Sequence, residues 1–146
     1  PLAPGLRFED YRLDFGEECS PRRMLITPDG YCAGGYAPYP LESGRIIRLN
    51  HHLFERDGVF LTDTPDTVTI KSDLDARSVT LRCGDMTCLG LWHTSGSEAP
   101  FVCVEPWHGQ PSTRGVTDDL GTKAGIIKLP AGDAHDFTYE IKIKQE

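Results

Sequence analysis

Apolar and polar residues alternate with a period of two along much of the chain, and no segment of ten or more residues has the apolar period of a helix. Within residues 6–15, Tyr11, Leu13 and Phe15 share one face and Arg12 and Asp14 the other, which predicts a half-buried strand. Residues 24–27 predict a second short strand, closed by Pro28-Asp29-Gly30, where proline fixes φ and glycine accepts a left-handed backbone. The Gly-, Pro- and Tyr-rich residues 31–40 read as a loop. Residues 46–49 predict a strand, 51–56 a helical turn and 59–62 another strand. Val68 and Ile70, then Val79 and Leu81, mark two alternating strands joined by the polar stretch 71–77. Residues 86–92 and 101–105 form a further pair around Thr94-Ser95-Gly96-Ser97. Ile126, Ile127 and Leu129 predict a short strand and Pro130-Ala131-Gly132-Asp133 a turn. Residues 137–144 predict a last strand, with Phe137, Tyr139, Ile141 and Ile143 on its inner face. Short strands with frequent turn signals predict an all-β fold, an antiparallel β-sandwich. No internal repeat or linker interrupts residues 1–146, which read as a single domain. The polar stretch 109–121 is long enough to suggest function rather than mere connection.

Composition narrows the function classes. The net charge is −7 and no basic run exceeds Arg22-Arg23, so nothing is placed to displace the counterions of a nucleic acid or an anionic membrane. The five cysteines, at 19, 32, 83, 88 and 103, include no Cys-x-x-Cys, and three fall in or beside apolar segments. They read as free thiols in a reducing, cytoplasmic setting. The five histidines show no spacing that would complete a zinc site with them. No signal peptide or membrane span is visible, and a beginning at Pro1-Leu2-Ala3-Pro4 implies a processed or excised start.

The chemistry concentrates in Phe101-Val102-Cys103-Val104-Glu105-Pro106-Trp107-His108-Gly109. Four apolar residues without alternation predict a strand covered on both faces. Glu105 then stands where that strand leaves the core, and partial loss of hydration there predicts a pKa raised toward neutrality, which suits a general base. Trp107, two residues on, lies on the same side of an extended chain and offers a flat apolar ring beside the acid. The plainer alternative is an acid at the edge of a core strand.

That segment, with Leu89-Gly90-Leu91-Trp92 before it and residues 123–132 after it, resembles the C-terminal part of the aldose 1-epimerase (galactose mutarotase-like) family. Residues 53–60, with Phe54 and then Asp57, resemble the family's central strand entry. The resemblance implies a large antiparallel sandwich with a sugar cleft on one sheet, interconversion of the α and β anomers of an aldose or hexose phosphate, and no metal or nucleotide cofactor. It implies that Glu105 is the general base and that Asp57 holds sugar hydroxyls. It places Trp92 and Trp107 in the segments that shape the sugar platform. The family's catalytic histidines lie in an N-terminal half upstream of a segment resembling Pro1-Leu2, so the partner implied is that half, or a paired or swapped copy. Ser112 stands where relatives often carry aspartate, and His108 where tyrosine is common.

Anomer exchange needs a base for the anomeric hydroxyl and an acid for the ring oxygen, both within hydrogen-bond reach of the sugar. Histidine suits the acid. His51 and His52 are adjacent and cannot both enter one cleft from an extended segment, and solvent exposure is the simpler expectation for each. His93 and His135 also read as exposed. His108 is nearest to Glu105 and is a candidate sugar contact. Lys123 reads as solvated or paired with an acid. Two alternatives stay open: a non-catalytic carbohydrate-binding β-sandwich module, which needs no proton chemistry, and an inactive fragment.

Overall fold

The period-two segments form ten strands: β1 (Tyr11–Asp14), β2 (Arg22–Ile26), β3 (Cys32–Pro38), β4 (Ile46–Arg48), β5 (Val59–Thr62), β6 (Thr67–Ser72), β7 (Asp75–Arg82), β8 (Cys88–Trp92), β9 (Cys103–Trp107) and β10 (Glu140–Lys144). Short 3-10 helices at Phe8–Asp10 and His51–Phe54 precede β1 and β5. The structure, a computed structural model, describes residues 3–145. Two five-stranded sheets result: sheet A in the order β10-β7-β6-β1-β4 and sheet B in the order β3-β2-β5-β8-β9. Every paired strand runs antiparallel to its neighbour. Among the described residues no helix is long and apolar enough to cross a membrane.

Alternation decides what each sheet buries. Leu13, Ile47, Val68 and Leu81 point from sheet A onto Val59, Leu61, Leu89 and Leu91 of sheet B, with Phe54 and Phe8 closing one end. Leu13, Leu61, Leu91, Val59 and Phe54 are fully inaccessible, and each contributes about 1.5–3 kcal/mol by leaving water. Asp14, on the opposite face of β1 from Leu13, is 3% exposed yet charged. Burial pushes its pKa up, but Lys71 at 2.7 Å, the Gly16 amide at 2.8 Å and Arg45 at 3.7 Å outweigh that and hold it below the usual range.

Four expectations need correction. Residues 31–40 are not a loop, because β3 fills most of them and pairs with β2. An edge strand tolerates Pro38, whose missing N–H has no ladder partner to lose. The stretch around 101–105 is not covered on both faces: β9 is the outer strand of sheet B and half-buried throughout. Its Val102 and Val104 side meets the core, while its Cys103 and Glu105 side does not. Ile126, Ile127 and Leu129 form no strand. The last strand begins only at Glu140, and its apolar side is uncovered, with Ile141 56% and Ile143 66% exposed. These two lie opposite Leu81 and Val79 of β7, so the core face of sheet A continues past the edge of sheet B. A cavity of about 570 Å³ opens there, lined among others by Tyr11, Ile70, Val79, Phe101 and Ile143.

Candidate functional site

Sheet B carries a second apolar cluster on the face turned away from sheet A. Met24, Cys32, Phe60 and Cys88 are buried there, with Ile26 and Trp107 packed on them. Side chains two apart on a strand share a face, so Cys103, Glu105 and Trp107 all belong to this outer face. Glu105 lies opposite Gly90 of β8. A Cβ on Gly90 would sit 3.3 Å from the Trp107 ring, so the missing side chain lets the indole lie across β8 and reach Phe60 of β5, ring centres 4.9 Å apart. The Gly90 position was legible in Leu89-Gly90-Leu91-Trp92 as an interior glycine, a signal of close approach.

The Cys103 thiol has its pKa raised by burial first and by the nearby Glu105 carboxylate second. The thiol therefore stays protonated beside the acid. Burial, with Cys32 nearby, pushes the Cys88 thiol up to about 11, so it is no nucleophile at neutral pH. Every cysteine in the chain is a free thiol.

Asp57 enters from the other end of the same sheet. It precedes β5 with φ 147°, in the region that favours glycine, and its Oδ1 accepts the Gly58 amide at 2.7 Å. Its Oδ2 lies 3.9 Å from where a Gly30 Cβ would stand, so the carboxylate leans on the β2–β3 turn. Gly58 is dictated by packing, since a Cβ there would fall 2.9 Å from both Leu91 O and the Phe60 ring. The pairing of Val59 with Leu91 and of Leu91 with Val104 sets Asp57 about 10 Å along and about 10 Å across the sheet from Glu105. Trp92 is half-buried opposite Cys103, in the row between them, and its ring is 6.4 Å from Phe101. Glu105, Trp107, Trp92 and Asp57 thus belong to one sheet.

His108 turns elsewhere. Its ring packs against Phe137 (5.2 Å) and near His135 (6.5 Å), and its Nε2 faces Asp85 at 3.8 Å without a hydrogen bond. His135 bonds the same Asp85 oxygen at 3.1 Å. Among the described residues no group of three or more His, Cys, Asp and Glu is arranged to hold a metal ion.

The stretch after β9 forms a wall that pattern reading missed. Gln110 donates to the Tyr36 hydroxyl, Ser112 O accepts the Cys32 amide at 2.9 Å, and the Arg114 amide returns to Cys32 O at 3.1 Å. The chain therefore passes from β9 to β3, the opposite edge of sheet B, within a few residues and spans the outer face. Behind it Lys123 is paired with Asp118 at 2.7 Å and lies 3.4 Å from the Ser112 hydroxyl. Hydrogen bonds from Lys123 and Ser112 hold the Asp118 carboxyl below its usual range. No hydrophobic period announces such a crossing, because its bonds are made by backbone groups and one polar side-chain pair.

Two five-stranded antiparallel sheets define the class: the chain has the fold of about half of a galactose mutarotase-like β-sandwich. The structure of a galactose mutarotase related enzyme from Lactobacillus acidophilus superposes with a TM-score of 0.88 at 21% identity, covering 99% of this chain and 48% of that one. A galactose mutarotase-like protein from Lactobacillus casei gives 0.84 at 27% identity, covering 99% and 50%. In sequence, the chromosomal LacX protein of Lactococcus lactis subsp. lactis is 28% identical over 98% of this chain and 48% of its own length. The plasmid LacX protein of that organism is 27% identical over the same shares. The chain is thus related to the LacX and galactose mutarotase-like proteins and spans about half the length of each. No family model matches it.

Proposed function

We propose that this chain supplies the base and part of the sugar cleft of an aldose 1-epimerase-like protein, which interconverts the α and β anomers of an aldose. The observation that carries this reading is the placement of Glu105 on the outer face of sheet B, between Cys103 and the Trp107 indole. Glu105 takes the proton of the anomeric hydroxyl while an acid protonates the ring oxygen. The ring opens to the aldehyde, C1–C2 rotates, and the two groups exchange roles on closing. A carboxylate on a paired strand keeps its position through both steps. Asp57 accepts hydrogen bonds from sugar hydroxyls, and Trp92 and Trp107 supply apolar ring faces. The reaction moves only protons, so no cofactor enters the scheme.

The acid comes from outside this chain, from a complementary N-terminal half or a paired copy. The open flank of sheet A supports that part of the reading, since Val79, Phe101, Ile141 and Ile143 are more than a third exposed. Such an apolar face invites a covering layer. Polarimetry on this chain, alone and mixed with the N-terminal half of a relative, tests the proposal. The expected result is anomer exchange on mixing and its loss in Glu105→Gln. Full activity from this chain alone, unchanged by Glu105→Gln, overturns it.

A further inference from the structure

We propose that two copies of this chain pair edge to edge through β10, antiparallel about a two-fold axis at Ile141, so that sheet A of one copy runs on into sheet A of the other. The proposal does not rest on the role of Glu105. An unpaired strand edge is a row of open N–H and C=O groups, and soluble proteins shield such edges. β4 is short, and its first residue, Ile46, is bridged to Glu42. β3 is capped where Cys32 meets Thr113. β9 carries Pro106, and a proline within a sheet turns its missing N–H outward, which blocks a further strand. β10 is the exception. Glu140–Lys144 contains no proline, and among the described residues no strand or bridge lies on its outer side.

The order of charges along β10 selects a second copy as the occupant and fixes the register. Glu140, Lys142 and Lys144 share the polar face, and Ile141 and Ile143 the apolar one. In a two-fold antiparallel pair that keeps both apolar faces on one side, the axis passes through a residue. An axis at Glu140 sets two carboxylates against each other, and an axis at Lys142 or Lys144 sets two ammonium groups against each other. An axis at Ile143 sets Lys142 against the partner's Lys144, twice. The axis at Ile141 has no such clash. It places Glu140 opposite the partner's Lys142, twice, while on the apolar side Ile141 meets the partner's Ile141 and Tyr139 meets the partner's Ile143. Like charges directly opposite destabilise a strand pair, whereas opposite charges and aromatic–β-branched pairs stabilise it.

Exposure points the same way. Tyr139, Ile141 and Ile143 are all more than half exposed, and Leu81 and Val79 extend their patch on β7. A contiguous apolar patch of this kind marks an interaction surface. A two-fold contact uses the same edge on both chains and closes at two, so no free β10 edge remains for a third chain. The pairing also leaves the outer face of sheet B untouched, because that face looks away from sheet A. Glu105 and Trp107 are therefore as accessible in the pair as in the single chain.

Sedimentation equilibrium of the reduced protein from about 1 μM to about 1 mM, with a disulfide trap for the register, is the test. The expected result is a monomer–dimer equilibrium. Lys142→Glu, which sets carboxylates against each other twice, should weaken it about tenfold or more, and Lys144→Glu, which meets only the partner's Thr138, should leave it unchanged. Ile141→Cys has its counterpart directly opposite, at about 4.5–5.5 Å between Cα atoms, and should cross-link under mild oxidation. Ile143→Cys lies about 13 Å along the strand from its counterpart, and neither it nor the wild type should cross-link. If a variant does not fold, the wild-type sedimentation decides. A monomer throughout overturns the proposal, and protection of the β10 amides from hydrogen exchange only when the N-terminal half of a LacX relative is added would assign the edge to that half instead. A dimer indifferent to Lys142→Glu, or one trapped by Ile143→Cys in place of Ile141→Cys, overturns it as well. None of these readouts involves Glu105, so this result and the polarimetry stand or fall separately.

Discussion

Replacing Gly58 with alanine places one methyl group where the fold has no room for it. The added carbon would lie 2.9 Å from Leu91 O and 2.9 Å from Phe60 Cζ. Unstrained contacts sit at about 3.5–4.0 Å, so one neighbour must retreat by roughly half an ångström or more. Leu91 O is backbone of β8, paired on both sides within sheet B, and Phe60 is 7% exposed against Met24 and Cys88. Neither can swing into solvent. Overpacking of this kind costs about 1–3 kcal/mol, against which the reduced freedom of the unfolded chain returns about 0.4–1 kcal/mol. A net loss of roughly 0.5–2 kcal/mol lowers the melting temperature by a few degrees in a domain of this size. Thermal melts followed by circular dichroism, with urea midpoints compared at equal slope, measure it. A melting temperature equal to or above that of the wild type would refute the steric reasoning, because only a backbone already relaxed away from Leu91 could accept the methyl.

Two further outcomes follow from burial. Asp14→Asn removes a carboxylate that is 3% exposed between Lys71 and Arg45, and chemical denaturation should find a loss of about 2–4 kcal/mol, trimmed because Lys71 is partly in water. The native carboxyl is held below its usual range, so its contribution is complete above the unfolded value of about 3.9 and is lost as the pH falls through the native value. The acid limb of the stability curve should accordingly be flatter in Asp14→Asn, and parallel limbs would contradict the pairing. Thiol labelling of the native protein at pH 8 should reach the half-buried Cys19 and Cys103 before the buried Cys32, Cys83 and Cys88, with Cys88, raised to about 11, slowest. Equal rates would contradict that order.

Much of the sandwich was legible because alternation is a local signal. Tyr11, Leu13 and Phe15 announced β1, and the β-branched runs around Val68 and Val79 announced β6 and β7. The failures are of one physical kind: a sequence pattern records which side of a strand is apolar, not what lies opposite it. The alternation through Ile141 and Ile143 is real, yet no described layer covers it. Residues 31–40 hid a strand because glycine and proline lower strand propensity, while pairing with β2 along one side suffices at an edge. In the candidate site, Glu105 and Trp107 could be placed on one face from their spacing alone. The crossing at 110–114 could not, since it depends on contacts with the distant strand β3. His93 was misjudged for a related reason. A histidine after a strand reads as exposed until its partner His51, 42 residues earlier in sequence, is brought within 3.2 Å.

The most direct measurement is the rate of anomer interconversion by exchange NMR, in a mixture of this chain with the N-terminal half of a LacX relative, for the wild type and Glu105→Gln at equal folded concentration. Removal of the proton acceptor should slow exchange by about 10²–10⁴-fold while aldose binding persists. Equal rates in the two proteins would contradict the assignment of Glu105 as the base.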